Sequence, residues 1–515
     1  MYKKLILKLN RKNNAKSAFT IVELAIVIVV IGILASITVL GYGNWQKNIK
    51  ETQIKSELDG AKTAMESWRS FNGRYPNTIK ETGYKPNSSD VAVTGGSTDN
   101  GETFIIEAAI VGAPRYVINN TSSTPLLASN VAQVSAGETH TCAIAFDGKA
   151  YCWGANTSGQ LGNGNNTNSL VPVRVDMSGD LSGKSFKAIS AGYYTTCAIA
   201  SDDNAYCWGS NNGQLGNGGT ENQNKPVAVS MQGPLSGKTV KSISVGGLVH
   251  SCFIASDDNA YCWGHNYSGS LGNSSYSSSS FPVPVNNSNA LLGRTIKSIT
   301  AGGFGNTCAV ASDNRAYCWG NNQIGAVGDK TYINRNEPVA VDTSGVLYNL
   351  GITSISAGEY HTCAISSDNN AYCWGYNQTG QLGSGSVETK VNYPVAVNKN
   401  SYVGKTIKNI EAGKDHTCAI ASDNQAYCWG YNYYGQLGNN GAQGYYASNS
   451  NIPVAVSTSG VLSGKNLVSI SVGRAHSCSI DTDSKVYCWG DNSYYQIGDN
   501  TNITRKVPVS INLID

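Results

Sequence analysis

From residue 131 onward, short apolar runs alternate with clusters of Gly, Asn, Ser and Asp, and the alternation repeats. Each unit reads approximately I-S-A-G, C-A-I-A, S-D-N, A-Y-C-W-G, Q-L-G and P-V-x-V, and its pair of cysteines recurs every 55–60 residues. A period of that length marks a repeat architecture. Strand-length apolar runs bounded by turn-forming residues predict about four short strands per unit. Seven such units closing in a ring make a β-propeller, so the predicted fold is mainly β over residues 131–515.

The first part of the chain follows a different pattern. Residues 1–18 are basic and polar, and residues 19–40 are apolar apart from Thr20, Glu23, Ser36 and Thr38. As a helix those 22 residues reach about 33 Å, enough for a hydrocarbon layer of ~30 Å. Beyond Gly43 the helical period continues but becomes amphipathic. Ile54, Leu58, Ala61, Met65 and Trp68 fall on one face, with Lys50, Glu51, Lys55 and Glu57 elsewhere. Asn72-Gly73-Arg74-Tyr75-Pro76 predicts the stop. Alternating runs at Thr103–Ala109 and Tyr116–Asn119 predict a small antiparallel sheet packed on the helix, and 121–130 reads as a linker. The expected order is a leader over 1–18, a long helix with a small sheet over 19–120, the linker, and the propeller over 131–515.

Charge narrows the function. The chain carries 37 basic and 34 acidic residues, a net +3. Six of the positives lie before residue 19, which leaves 31 against 34 in the body. A faintly acidic body is no footprint for nucleic acid. Fourteen cysteines without a CxxC motif point to an oxidised, exported protein rather than a metal site.

Two resemblances follow. Phe19-Thr20-Ile21-Val22-Glu23 at the head of the apolar segment resembles the type IV pilin and pseudopilin family, with Ala18 where that family usually has Gly. The resemblance implies cleavage between Ala18 and Phe19 by a prepilin peptidase and methylation of the new terminus. It also implies contact of Glu23 with a neighbouring pilin's terminal amine. The repeated A-G-x-x-H-T-C-A-I…A-Y-C-W-G-x-N-x-x-G-Q-L-G resembles RCC1 repeats, a family of seven-bladed propellers. That likeness puts blade motifs on Gly137, Trp153, Gly154, Gly162 and their equivalents.

The cysteines fall ten apart in every unit, and a hairpin that opposes them leaves a three-residue loop such as Ser201-Asp202-Asp203. Its last position favours a left-handed residue, and six of the seven units place Gly, Asn or Asp there. Opposed Cα atoms at ~4.5–5.5 Å accept a disulfide. We therefore expect Cys142–Cys152, Cys197–Cys207, Cys252–Cys262, Cys308–Cys318, Cys363–Cys373, Cys418–Cys428 and Cys478–Cys488.

What recurs in every unit serves the blade: Trp153, Tyr151, Asn156 and their equivalents are read as scaffold. His140, His250, His361, His416 and His476 recur two before a cysteine, and are expected to hydrogen-bond within their own blades rather than bind metal. No catalytic grouping and no cofactor motif stands out, so no enzymatic activity is expected. What varies is tyrosine in the connections, including Tyr193, Tyr194, Tyr276 and Tyr360, mixed with Ser, Asn and Gly, a composition suited to recognition. The candidate contact residues are Tyr431, Tyr433, Tyr434, Tyr445, Tyr446, Tyr494 and Tyr495, with 439–451 as the longest loop.

The sequence thus reads as a low-copy minor pilin-like subunit, inserted in a bacterial cytoplasmic membrane before assembly. It would display a disulfide-stapled propeller on the cell surface for adhesion or protein recognition, with a surface protein or glycan as ligand. The alternatives are a membrane-tethered propeller that binds or inhibits another exported protein, and a pseudopilin of a secretion or DNA-uptake system.

Overall fold

A computed structural model describes residues 49–98, 103–109, 115–119, 126–128, 131–145, 148–247, 250–441 and 448–513. Ala18, Phe19, Glu23, the apolar segment 19–40, Tyr445 and Tyr446 lie outside the described residues. Among the described residues no helix is long and apolar enough to cross a membrane. The chain divides into two compact units, Met1–Leu127 and Ala128–Asp515.

In the first unit a helix covers 49–72, and Gly73 ends it in the left-handed region (φ 75°) with its N–H bonded to the Arg69 carbonyl at 2.8 Å. Ile54, Leu58, Ala61 and Met65 are fully buried against Tyr75, Ile79, Val91, Ile106, Ala108 and Tyr116, while Trp68 is only half-buried. Glu57 departs from the expectation that it faces away from the core. It is buried, accepting from the Tyr84 hydroxyl at 2.6 Å and the Asn87 N–H at 2.9 Å. Those donors offset its desolvation. The sheet has four strands in the order Ala92–Thr98, Thr103–Ala109, Arg115–Asn119, Leu126–Ala128. The last lies inside the stretch read as a linker, because a three-residue strand is defined by its hydrogen-bonded neighbour and not by any periodicity of its own.

The second unit is a ring of seven four-stranded antiparallel sheets. Blade one is Val131–Ala136, His140–Ala145, Ala150–Gly154 and Ser169–Arg174. Blade seven is Leu467–Val472, His476–Asp481, Val486–Gly490 and Arg505–Ile511. Every blade uses four consecutive strands, so the ring closes without exchanging a strand between its ends. The first strands line an axial channel, bordered by Ala136, Ala191, Val245, Ala301, Ala357, Ala412 and Val472. The second and third strands are buried along their length, apart from Tyr376 at the end of one third strand, so the polar side chains they carry must find partners inside the ring. The core sits between blades: Ile144 and Leu161 of blade one pack with Ala198, Tyr206 and Trp208 of blade two. Val131, Ala143 and Trp153 pack with Ile480, Ile497 and Leu513 at the closing joint.

Each blade carries one hairpin in the anticipated register. Cys197 pairs with Cys207 and Ile199 with Ala205, and the Ala200 N–H bonds the Asn204 carbonyl at 3.0 Å. The last loop residue has positive φ in all seven: Gly148, Asp203, Asp258, Asn314, Asn369, Asn424 and Ser484. All seven cysteine pairs are bonded, with Cα atoms 4.0–4.1 Å apart. That is closer than the spacing anticipated for opposed strand residues.

Candidate functional site

The recurring residues form the joints between blades. Trp208 Nε1 donates to the Gln160 carbonyl of the preceding blade at 2.9 Å, and Thr196 Oγ1 donates to the same oxygen at 2.9 Å. At the closing joint Trp153 Nε1 and Thr141 Oγ1 reach the Gln496 carbonyl at 3.0 and 2.7 Å. The glycine two residues after that carbonyl makes room for the indole, since a Cβ at Gly162 would lie 2.6 Å from Trp208 Nε1. Asn156 folds the connecting loop, accepting from the Leu161 N–H at 2.9 Å and donating to the Thr167 carbonyl at 3.0 Å.

The histidines belong to these joints, and here the structure corrects the expectation of a bond within the blade. His140 Nε2 meets Thr196 Oγ1 of the next blade at 2.8 Å, and the same step joins His250 to Thr307, His361 to Thr417, His416 to Ser477 and His476 to Thr141, at 2.7–2.9 Å. The hydroxyl spends its hydrogen on the carbonyl, so the imidazole must be the donor: a neutral Nε2–H tautomer. Burial lowers all five imidazoles to about 3. Among the described residues no group of three or more His, Cys, Asp or Glu is placed to hold a metal.

The extra tyrosines gather at one end of the ring. The turn after each first strand and the loop after each third strand emerge together, tied by Ser210 N–H to Tyr194 O, Tyr376 N–H to Tyr360 O and Tyr431 N–H to Asp415 O at 2.8–2.9 Å. This brings Tyr193, Tyr194, Tyr360, Tyr431, Tyr433, Tyr434, Tyr494 and Tyr495 to a single face. Tyr431 stacks on Tyr433 (6.3 Å, 11°), and Tyr434 meets Tyr433 edge-on at 4.8 Å. Tyr494 is 51% exposed. The structure adds Tyr267, Phe304 and Tyr376, with Phe304 against Tyr360 at 5.2 Å and Tyr360 against Tyr376 at 5.9 Å.

Charges that sequence reasoning missed lie at the centre of this face. The residue following A-G or V-G in the seven blades is Glu138, Tyr193, Gly247, Gly303, Glu359, Lys414 and Arg474. Arg474 pairs with Glu138, and Lys414 with Glu359 at 3.2 Å. Lys414 also lies over the Tyr360 ring at 5.4 Å. Burial raises the Glu138 carboxyl against the pull of Arg474, and raises Asp415 to about 6. Glu138, Glu359, Lys414 and Arg474 border a cavity of about 90 Å³ at the channel mouth. The signal was available in the repeat: one column with five residue types in seven copies.

Tyr495 occupies a special backbone position. Its equivalents are Gly159, Gly213, Gly269, Gly325, Gly380 and Gly435, all with φ between 75° and 103°, and Tyr495 itself has φ 68°. A bulky residue there costs about 1–3 kcal/mol, partly offset by the ~0.5–1 kcal/mol entropy cost of the glycine that would relieve it. Tyr495→Gly should therefore raise the denaturant midpoint, by about 1 kcal/mol in stability. A lowered midpoint would mean that the ring packs for more than its backbone costs.

Comparison with known proteins agrees with the fold. The RCC1-like domain family matches residues 88–406, and the regulator of chromosome condensation (RCC1) repeat matches 407–436, 467–496, 423–480 and 483–515. The chain is 28% identical over 380 residues to the ultraviolet-B receptor UVR8 of Arabidopsis thaliana, covering 73% of this chain and 80% of that one. It is 27% identical over 365 residues to the E3 ubiquitin-protein ligase HERC2 of Homo sapiens, covering 70% of this chain but only 7% of that protein. Similar solved structures include human WBSCR16 (TM-score 0.61, 17% identity, 71% of this chain and 94% of that one). Another is Prp20p of Saccharomyces cerevisiae (TM-score 0.58, 21% identity, 69% and 84%). With seven blades in place and the family model matching more than half its length, the chain belongs to the RCC1-like domain family.

Proposed function

We propose that this protein is an exported, membrane-inserted minor subunit of a type IV pilus-like filament, and that its propeller recognises another protein through the tyrosine-rich face. The observation that carries the recognition half is the gathering of tyrosines that are not part of the repeat on one face of the ring. The structure of Prp20p was determined together with its binding properties to Gsp1p and histones, which makes protein recognition a use already known for this fold. The filament half rests on Phe19-Thr20-Ile21-Val22-Glu23 heading an apolar segment of helix-spanning length. Seven buried disulfides suit an oxidising exterior.

Size argues for low copy number. A 385-residue domain has a radius of gyration near ~21 Å, whereas packed helices lie only ~8–10 Å apart. A propeller on every subunit would crowd its neighbours. Immunogold labelling should mark filament tips or isolated points, and mass spectrometry should find the mature chain starting at Phe19. Label along the whole shaft, or a mature chain starting at Met1, would overturn the filament assignment. Label confined to the membrane of normally piliated cells would favour the tethered propeller. The double variant Tyr433→Ser, Tyr494→Ser should lower attachment to partner cells by about tenfold or more at unchanged surface level, as expected for exposed aromatic anchors. Unaltered attachment would remove this face from the account.

A further inference from the structure

The centre of the same face carries an unfinished piece of chemistry. Glu138 and Glu359 are 5% and 6% exposed. Each uses Oε1 for a cation supplied from the blades on one side of the ring, Arg474 and Lys414 respectively. The Tyr194 and Tyr360 hydroxyls are hydrogen-bonding neighbours of the same two carboxylates. Oε2 of each glutamate is buried and has no hydrogen-bond partner among the described residues. A buried carboxylate oxygen without a donor of its own costs free energy, and two at one opening leave room for a further donor beside the tyrosine hydroxyls.

We infer that the channel mouth is a receptor for one cationic side chain, a lysine or arginine presented by a protein partner. The inference rests on the reading of this face as a recognition surface and adds the chemistry of what enters it. Blades two, three and four, between the two glutamates, supply Tyr193, Gly247 and Gly303 at the same repeat position, so they bring small or aromatic residues and no charge. The cavity of about 90 Å³ accommodates an ammonium or guanidinium head, which alone among common side chains brings both positive charge and several donors. Tyr193 lines the cavity, and Tyr360, in contact with Phe304 at 5.2 Å, lies under Lys414 of the same lining. Such rings hold a cation at about 6 Å or less, as Lys414 already shows over Tyr360. With two glutamates and Asp415 set against Lys414 and Arg474, the mouth is one charge short of neutral once Asp415 ionises. None of these residues is needed by the blade, since the other copies do without them.

The test uses the full chain in detergent and four blocked tripeptides, glycine-X-glycine, with X as lysine, arginine, norleucine or glutamate, read by saturation-transfer NMR. Lysine or arginine peptide should bind about tenfold more strongly than norleucine peptide, and the double variant Glu138→Gln, Glu359→Gln should erase the difference. The single variant Glu359→Gln, which leaves the Glu138–Arg474 pair intact, should reduce it, and gives the answer if the double variant does not fold. Equal response to norleucine, or preference retained in both variants, would overturn the inference and leave ordered water as the occupant. Preference for the glutamate peptide would overturn it in favour of an anion held by Arg474. If the Tyr433/Tyr494 variant abolishes attachment while the peptides go undiscriminated, the recognition face stands and the cation receptor falls. If the peptides discriminate while attachment is indifferent to those tyrosines, the broader reading fails instead.

Discussion

Reduction of the seven disulfides should leave a chain that does not hold the propeller. Each bond closes a hairpin of ten-residue separation, which the chain-entropy estimate values at about 2.5–3 kcal/mol. Seven together approach ~20 kcal/mol, beyond the ~5–15 kcal/mol by which domains are ordinarily stable. Residual structure in the reduced chain lowers that sum, but not by enough to reverse the outcome. Every cysteine is fully buried, so a reductant at neutral pH must wait for the fold to open. The measurement is circular dichroism and thermal unfolding after reduction in denaturant and its removal, against the oxidised control. Expected are no native spectrum, or a melting point lower by tens of degrees. A reduced chain melting within about 5 °C of the control would show that blade packing alone carries the fold.

Mild acid should destabilise the native ring steeply. Each of the five joint histidines is neutral in the fold, with its proton affinity pushed down to about 3. In the unfolded chain the same groups titrate near ~6.5. Above that pH neither state is charged and the histidines are silent. As pH falls from there toward 3, only the unfolded state takes up the protons, so stability is lost, at about 1.4 kcal/mol per pH unit for each group and ~7 for all five. Burial raises Glu411 to about 7, Asp415 to about 6 and Glu138 above its ordinary value, so all three favour holding protons in the fold and act in the opposite sense, three groups against five. Below ~4 the depressed carboxylates of Asp176 and Asp257, both near 2, add to the loss. Urea unfolding at a series of pH values from neutral to about 4.5 reads the slope, and His416→Asn, copying the residue blade four has at Asn306, should reduce it by one proton. A stability that is flat across that range would contradict the neutral tautomers at the joints.

Local chemistry in this chain was readable in advance and partner direction was not. The hairpin loops were legible because Asp203, Asn314 and their equivalents answer a purely local demand for left-handed backbone, and the cysteine pairing follows from the register that the loop sets. The closer Cα approach was not, since it depends on the bond drawing two strands together. That His140 reaches forward to Thr196, while Trp208 reaches back to Gln160, is a property of neighbouring sheets, and no single repeat encodes it. Glu57 looked exposed because its partners, Tyr84 and Asn87, lie about thirty residues away in a turn without periodicity. The charges at the channel mouth are unremarkable one by one. Only ring closure brings Arg474 to Glu138 across more than three hundred residues of sequence.

Blades one and seven remain separate sheets, and this determines how the ring bears a load. Tension entering the propeller at Val131 meets its amide bond to the Ser484 carbonyl, and then the Thr141–His476 and Trp153–Gln496 contacts. None of these is a ladder of strand hydrogen bonds, and no covalent bond crosses that seam, whereas every blade is riveted internally. Under pull the circle would part at this one junction, like a clasp, while its seven leaves stayed whole and free to close again.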